Sequence, residues 1–164
     1  MKVKVVYHSR RPRTDVPYRY YGNLRAMAAD VSVLMVIVPG TASTRHLVDA
    51  GVLEALGPDG ILINVGRGSV VDEAALVAAL KSGTIRSAGL DVFANEPHVP
   101  AELIALPNAV LLPHVGSASV HTRQAMGQLV VDNLRSWFQD GRPLTPVPET
   151  PWPSKSWQPS KQTG

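Results

Sequence analysis

Short runs of aliphatic residues alternate along this chain with longer segments of helical periodicity. The runs are rich in Val, Ile and Leu, show no polar alternation, and span residues 3–7, 31–38, 61–65, 87–93 and 109–112. Runs of this kind are typical of strands that are covered on both faces. Strands that alternate with helices predict an α/β fold, in which helices flank a parallel sheet and the crossovers are right-handed.

Two of the segments between the runs carry helix signals. Asp72 can cap a helix that runs to about Lys81, and Gly83 stands where a left-handed C-terminal residue is expected. A longer helix is predicted over about 119–139, with Gly141 after its end. Its apolar stripe is predicted to consist of Met126, Leu129, Val130, Leu134, Trp137 and Phe138.

The C-terminal end differs in character. After Pro143, prolines recur among Ser, Thr and Lys as far as Pro159. Such a density of proline removes backbone donors and favours extended chain. We therefore predict one domain over 1–143, which includes the long helix, and a proline-rich tail over 144–164. In that tail Trp152 and Trp157 either dock on a surface or belong to a disordered segment.

The composition of the 164 residues narrows the class of protein. A chain that is 45% hydrophobic and 18% charged is typical of one folded domain and not of a disordered segment. The absence of cysteine excludes disulfide scaffolds, thiolate metal sites and cysteine nucleophiles, and we expect no metal site. The longest aliphatic stretch, 33–38, is too short to span a bilayer, and the N-terminus lacks the features of a signal peptide. We therefore expect a cytoplasmic location and no membrane partner.

The charge is modest and partly local. The net charge is +3, and Arg10, Arg11 and Arg13 lie together. A nucleic-acid binder is expected to carry a broad basic face, so this patch predicts no nucleic-acid partner.

Polar residues follow the predicted strands. In open parallel sheets ligands bind beyond the carboxyl ends of the strands, so these loops are the first place to seek a site. Successive loops hold the arginine cluster, then Arg67, then Glu96 and then His114. A basic cluster, an arginine, a carboxylate and a histidine are therefore expected on the same rim of the sheet.

Three linked motifs in these loops resemble the family of D-isomer-specific 2-hydroxyacid dehydrogenases. They read NVGRGSVVDE over 64–73, GLDVFANEP over 89–97 and LPHVGS over 112–117. The resemblance covers about residues 1–148 and implies a Rossmann-like NAD(P)-binding domain. Within the family the chain is most similar to glyoxylate/hydroxypyruvate reductases, because of YHSRRPR at 7–13 and LTPVP at 144–148.

The resemblance implies an enzyme that reduces a small 2-oxo acid such as glyoxylate or hydroxypyruvate. Arg67 would bind the substrate carboxylate and polarise its carbonyl, since a guanidinium suits both oxygens. His114 would be the general acid, and Glu96 would hold its other ring nitrogen and favour the protonated imidazole. A nicotinamide cofactor would supply the hydride.

The cofactor contacts that the resemblance implies are Ser9, Arg10, Arg11, Arg13, Val38, Pro39, Thr44, Val65, Gly66, Arg67, Asp91, His114, Gly116 and Ser117. After the second strand of a dinucleotide fold an acidic residue accepts the ribose hydroxyls of NAD, whereas arginine accommodates a 2′-phosphate. This chain has Ser9 and Arg10 there and no acid until Asp15. The sequence therefore favours NADP, and NAD bound by other contacts is the alternative.

The chain also departs from the family. It has no Gly-x-Gly-x-x-Gly segment, so we expect the first βα unit and the substrate domain to be missing and Met1 to be an internal methionine of a longer enzyme. In the usual strand order the missing strand lies between the second and the fourth, which leaves either a gap or a new pairing. Exposed edges would favour a homodimer or other self-association. Little or no activity is expected of this chain alone.

Two other functions stay open. A dinucleotide-regulated binding module, similar to corepressors related to this family, would keep the same three residues without turnover. A remnant without activity would fold poorly. Glu96 argues against the formate-oxidising branch, and His8, His46, His98 and His121 are expected to have surface or structural roles. Asp72 and Glu73 are interpreted as a helix start.

Overall fold

The computed structural model describes residues 3–147 and 149, and it divides into two compact units, Met1–Gly116 and Ser117–Gly164. In the first unit the elements are β1 (Val6–His8), β2 (Arg19–Tyr21), α1 (Leu24–Ala29), β3 (Val33–Val36), α2 (Ala50–Leu56), β4 (Ile61–Asn64), a 3-10 turn (Gly68–Val70), α3 (Glu73–Ser82), β5 (Ser87–Leu90), α4 (Ala101–Ile104) and β6 (Ala109–Leu111). The second unit contains α5 (Val120–Asp140). Most of the predicted tail, including Trp152 and Trp157, lies outside the described residues.

The strands form two parallel sheets. β1 pairs with β2, and a second sheet has the order β3-β4-β5-β6. All pairings are parallel, which confirms the predicted α/β fold. Among the described strands, β1 and β3 do not pair with each other, so the chain has the gap and not the new pairing. One strand between β1 and β3 would give the usual order of a dinucleotide-binding sheet.

The two sheets are connected through a segment that the hydrophobic pattern did not predict. β2 has no aliphatic run, and α1 has only six residues. Asn23 begins α1, since its side chain accepts a hydrogen bond from the Ala26 N–H at 3.0 Å. α1 packs against α2 and also contacts β1 and β2. It therefore links the two sheets from one side.

The helices predicted from their end signals are confirmed. Asp72 caps α3 by accepting the Ala75 N–H, and Gly83 ends it with a φ of 73°. Ser119 caps α5, and Gly141 ends it with a φ of 66°. Both glycines adopt the left-handed conformation, which glycine tolerates without the steric cost of a Cβ.

The core lies on one face of the four-stranded sheet. Leu34, Val36, Leu62, Ala88 and Leu90 are buried there with the apolar residues of α2 and α3. The opposite face is open: Met35 and Val110, which the register aligns through β4 and β5, are 56% and 65% exposed.

The prediction that every run is buried on both faces is therefore wrong for the edge strands. Their aliphatic residues on the open face have no covering layer among the described residues of the first unit. The first run is also less buried than predicted, since Val3 and Val5 are exposed and the strand begins only at Val6.

The apolar stripe of the long helix is present but exposed. Five residues of the stripe are exposed, namely Met126, Leu129, Val130, Leu134 and Phe138, whereas Trp137 is half-buried and Ser136 is buried. A stripe at helical spacing shows which residues share a face, but not whether a partner covers that face. Within the described part of the chain, no helix is long and apolar enough to cross a membrane.

Candidate active site

The loop after β4 places Arg67 at the carboxyl edge of the sheet. Asn64, the last residue of β4, is buried, and its side chain holds the loop from both sides. Its Oδ1 accepts the Gly66 N–H, and its Nδ2 donates to the Arg67 carbonyl, both at 3.1 Å. The Arg67 backbone is extended and its Nη1 donates to the Gly66 carbonyl at 2.7 Å. The guanidinium is therefore exposed on a loop whose backbone is fixed.

The loop after β3 lies against the Arg67 loop. A Cβ on Gly40 would stand 3.1 Å from the Arg67 Cβ, so the two loops touch. Thr44 closes the turn, because its hydroxyl donates to the Pro39 carbonyl at 2.7 Å and accepts the Thr41 N–H at 2.8 Å.

Several of the predicted cofactor contacts lie in and beside these two loops. Val38 is half-buried, and Pro39 and Val65 are exposed beside them. Their cofactor contacts stay predictions.

Glu96 and His114 are in direct contact. Oε2 of Glu96 lies 2.8 Å from Nδ1 of His114, while its Oε1 accepts the Phe93 N–H at 2.9 Å. An ionised carboxylate only accepts, so Nδ1 is the nitrogen that carries hydrogen. The side chains are 35% and 44% exposed, respectively. Among the hydrogen bonds of the described residues, His114 uses Nδ1 and not Nε2.

Several neighbours stabilise the ionised form of Glu96. The hydrogen bond from His114 lowers the pKa of this carboxyl most, followed by the Phe93 N–H. Burial opposes these two effects, and the charges of His114 and Arg67 lower the pKa by smaller amounts. Arg67 is thus close enough for its charge to act on Glu96. The structure brings the three predicted catalytic residues together at the ends of adjacent strands, and their catalytic roles stay predictions.

Asp91 fixes the loop that carries His114. This buried residue follows β5, and its two oxygens accept the N–H groups of Val115 and Gly116, each at 2.7 Å. His114 has a φ of 54°, a conformation that few residues adopt without support. The sequence predicts Asp91 only as a cofactor contact and gives no signal for this structural role, since both partners are backbone groups far along the chain.

The arginine loop follows β1 and is held by two tyrosines that the sequence analysis missed. Tyr7 Oη accepts the Arg13 N–H at 2.7 Å, and Tyr20 Oη donates to the Ser9 carbonyl at 3.0 Å. The Ser9 hydroxyl in turn donates to the Arg11 carbonyl at 2.6 Å. These contacts fix the backbone of the loop and leave its guanidiniums outside.

The three arginines of this loop are not equivalent. Arg13 forms an ion pair with Asp15, which raises the pKa of Arg13 and lowers that of Asp15. Within the described residues, Arg10 and Arg11 form no ion pair. These two arginines are therefore the ones free to meet an anionic group.

The remaining predicted residues are placed as follows. Ser117 begins the second unit, with a φ of 66°. His8 Nδ1 lies 2.8 Å from the Tyr21 carbonyl oxygen, and His46 lies 3.8 Å from Asp72. Within the described residues, no cluster of histidine and carboxylate side chains could hold a metal ion.

Known proteins are similar to this chain in sequence and in fold. The sequence model described as D-isomer specific 2-hydroxyacid dehydrogenase, NAD binding domain, matches residues 1–116. Over 141 residues the chain is 52% identical to glyoxylate/hydroxypyruvate reductase A HPR2 of Arabidopsis thaliana, a match that covers 86% of this chain and 45% of that protein. Over 145 residues it is 44% identical to the 2-ketogluconate reductase of Gluconobacter oxydans, covering 88% of this chain and 47% of that protein.

A solved structure gives a similar picture. The NADPH-dependent glyoxylate/hydroxypyruvate reductase SmGhrB of Sinorhizobium meliloti, in complex with NADP and malonate, is 62% identical and superposes with a TM-score of 0.84. The match covers 91% of this chain and 47% of that chain. This chain therefore spans about half the length of the relatives it matches.

Proposed function

We propose a function from the premise that this chain belongs to the D-isomer specific 2-hydroxyacid dehydrogenase family. The chain carries the acid–base residues of a reductase that converts small 2-oxo acids into 2-hydroxy acids. The observation that carries the proposal is the 2.8 Å contact between Glu96 and His114 beside Arg67. A carboxylate, an imidazole and a guanidinium at one strand edge suit the protonation of a developing alkoxide next to a carboxylate. Glyoxylate and hydroxypyruvate are the proposed substrates.

Arg67, His114 and Glu96 have separate roles in the proposed reaction. Arg67 binds the substrate carboxylate through its two-pronged guanidinium, which also polarises the neighbouring carbonyl. His114 holds a proton at Nε2 and donates it to the carbonyl oxygen. Glu96 keeps the ring oriented through Nδ1 and stabilises the imidazolium before transfer. The nicotinamide supplies the hydride when the cofactor is bound.

The hydrogen-bond donors on the loop after β1 suit NADP. The two arginines without an ion pair, Arg10 and Arg11, lie on a loop with Ser9, and guanidinium groups with a hydroxyl suit a 2′-phosphate dianion. The S. meliloti relative is NADPH-dependent, which supports the same assignment. We propose NADP as the preferred cofactor, with Arg10 and Arg11 as its phosphate contacts.

The decisive experiment joins this chain to the part of the S. meliloti reductase that it does not match. In a fusion reductase, this chain replaces the matching part of the S. meliloti protein, with which it shares 62% identity. We expect the fusion reductase to oxidise NADPH in the presence of glyoxylate or hydroxypyruvate. His114→Gln should reduce kcat about 100-fold or more, the usual contribution of a general acid. A folded fusion whose rate does not depend on His114 would refute the proposal.

The cofactor assignment needs its own comparison. Arg10→Ala and Arg11→Ala in the fusion reductase should raise the KM for NADPH and leave the KM for NADH almost unchanged. Arg45→Ala, which removes an arginine outside this loop, is the matched control. If the fusion reductase without these substitutions prefers NADH, the assignment of NADP is contradicted.

This chain alone is proposed to have little or no activity. The sheet that carries the arginine loop is separate from the sheet that carries the catalytic residues, so nothing in the strand pairing fixes their spacing. Ordinary enzyme rates from the purified chain would overturn this expectation. The named relatives are reductases, which favours the enzyme over a binding module. The homodimer and the cytoplasmic location stay predictions.

A further inference from the structure

Glu73 makes a contact that a helix start does not require. It is the first residue of α3 and is half-buried. Its Oε1 accepts the N–H of Ala94 at 2.7 Å, a residue 21 positions away in the loop after β5. An acidic side chain in a first turn needs only the field of its own helix. This carboxylate instead binds the backbone of another loop.

The Ala94 amide belongs to the loop that carries Glu96. Two successive N–H groups of that loop are accepted by carboxylates: that of Phe93 by Glu96 and that of Ala94 by Glu73. The second oxygen of Glu96 then reaches His114. Glu73 is thus connected to the histidine through one short stretch of backbone and one side chain.

A second contact joins the same two loops. A Cβ on Gly68 would lie 1.9 Å from the Phe93 carbonyl carbon and 2.3 Å from the Ala94 nitrogen. Gly68 directly follows Arg67, and Glu73 begins the helix just beyond the turn. The Arg67 loop and the Glu96 loop therefore meet once by close backbone approach and once by a charge-assisted hydrogen bond.

We propose that Glu73 is a positioning residue, which keeps the Glu96–His114 pair at a fixed spacing from Arg67 by holding the Ala94 amide. This rests on the proposed function, because it assigns Glu73 to the same site. Glu73 touches neither substrate nor cofactor in this role. It acts on the backbone from which the Glu96 carboxylate reaches the histidine.

Four variants of the chain separate positioning from a simple helix start. Glu73→Ala removes the acceptor, and Glu73→Asp keeps the charge but withdraws the carboxylate by one methylene. Glu73→Gln keeps an acceptor oxygen at the same reach. Glu102→Ala removes the acidic residue of the first turn of α4, for which the structure shows no hydrogen bond, and is the matched control.

Two NMR measurements on the 164-residue chain provide the readouts. The first is the hydrogen-exchange rate of the Ala94 amide, and the second is the pKa of the Glu96 carboxyl from a titration of its side-chain carbon. Glu73→Ala and Glu73→Asp should speed the exchange about tenfold, the loss expected for one hydrogen bond to a charged group. Both should also move the pKa of Glu96 up toward its ordinary value, because Glu96 loses its alignment with His114.

Glu73→Gln and Glu102→Ala should leave both readouts close to those of the parent. An unchanged pKa of Glu96 in Glu73→Asp would overturn the proposal, since the loop would then hold its place with the carboxylate withdrawn from the Ala94 amide. The same holds if Glu102→Ala has the effect of Glu73→Ala. Neither readout depends on turnover, so failure here is distinguishable from failure of the proposed function, which His114→Gln tests in the fusion reductase.

Discussion

Replacing Gly68 with alanine tests the close approach between the Arg67 loop and the Glu96 loop. The added Cβ would lie 1.9 Å from the carbonyl carbon of Phe93 and 2.1 Å from its oxygen. Carbon atoms in contact prefer about 3.5–4.0 Å, so one of the loops has to move by roughly 1.5 Å. Both clashing atoms are backbone, and no side chain can swing away.

The cost follows from that geometry. Forcing an extra methyl group into a packed site typically destabilises a protein by about 1–3 kcal/mol. Backbone atoms surround this position and cannot move aside easily, so the loss should lie at the upper end of that range. We therefore expect the free energy of unfolding to fall by about 3 kcal/mol. With a urea dependence of about 2 kcal/mol per molar, the unfolding midpoint would fall by about 1.5 M.

Urea unfolding followed by far-UV circular dichroism is the suitable assay. Gly89→Ala is the matched control, because its Cβ would stand 4.0 Å from Ile63, an ordinary contact in the same unit. If Gly68→Ala unfolds at the same urea concentration as Gly89→Ala, the two loops are not in close contact and the reasoning fails.

Three further predictions concern the other fixed points of the site. Asp91→Asn leaves one acceptor oxygen for the two backbone amides that the carboxylate binds, so stability should fall by about 2 kcal/mol in urea unfolding; an unchanged midpoint would show that Asp91 does not hold the loop. Because its folded pKa is lowered, Glu96 stabilises the fold above its ordinary pKa of 4.5, and this contribution is lost as the pH falls through the lowered value. Midpoints measured from neutral to acidic pH should therefore fall less steeply in Glu96→Gln than in the parent, and equal slopes would contradict this. Tyr7→Phe removes the acceptor for the Arg13 amide, so the KM of the fusion reductase for NADPH should rise severalfold, whereas an unchanged KM would mean that the arginine loop needs no such support.

The contact between Glu96 and His114 could be predicted because parallel strands share an edge. Residues that follow β5 and β6 must emerge at the same side of the sheet, whatever the details of the loops. The family motifs indicated which residues these were, and the cap signals at Asp72 and Gly83 predicted where the helix between β4 and β5 begins and ends. Strand direction therefore predicted the common edge, and the family resemblance supplied the pairing of Glu96 with His114.

The open face of the sheet could not be predicted in the same way. Met35 and Val110 lie in runs as aliphatic as those of the core, yet they are exposed. Hydrophobicity records which residues favour burial, and coverage depends on which other elements are present to pack on them. The same reasoning explains why the stripe on α5, predicted from its spacing, is at the surface.

The residues that hold the loops in place could not be predicted from the sequence either. Asn64, Asp91 and Glu73 all bind backbone amides in loops, and a backbone amide leaves no mark on the amino-acid pattern. Each resembles an ordinary strand end or helix start until the partner loop is placed beside it. Such contacts appear only when the spacing of whole loops is known.

The two sheets divide the proposed site into separable parts. Arg67, Glu96 and His114 follow β4, β5 and β6, which are continuous neighbours in one sheet, and β1 and β2 do not belong to that sheet. The arginine loop belongs to the other sheet, and α1 is the element that packs against both β1 and α2. A dinucleotide that reaches both parts requires a fixed distance between the sheets, which one parallel strand between β1 and β3 would supply through hydrogen bonds on both edges. We therefore expect the geometry around His114 to persist in this chain, whereas binding of the whole cofactor should require the fusion reductase.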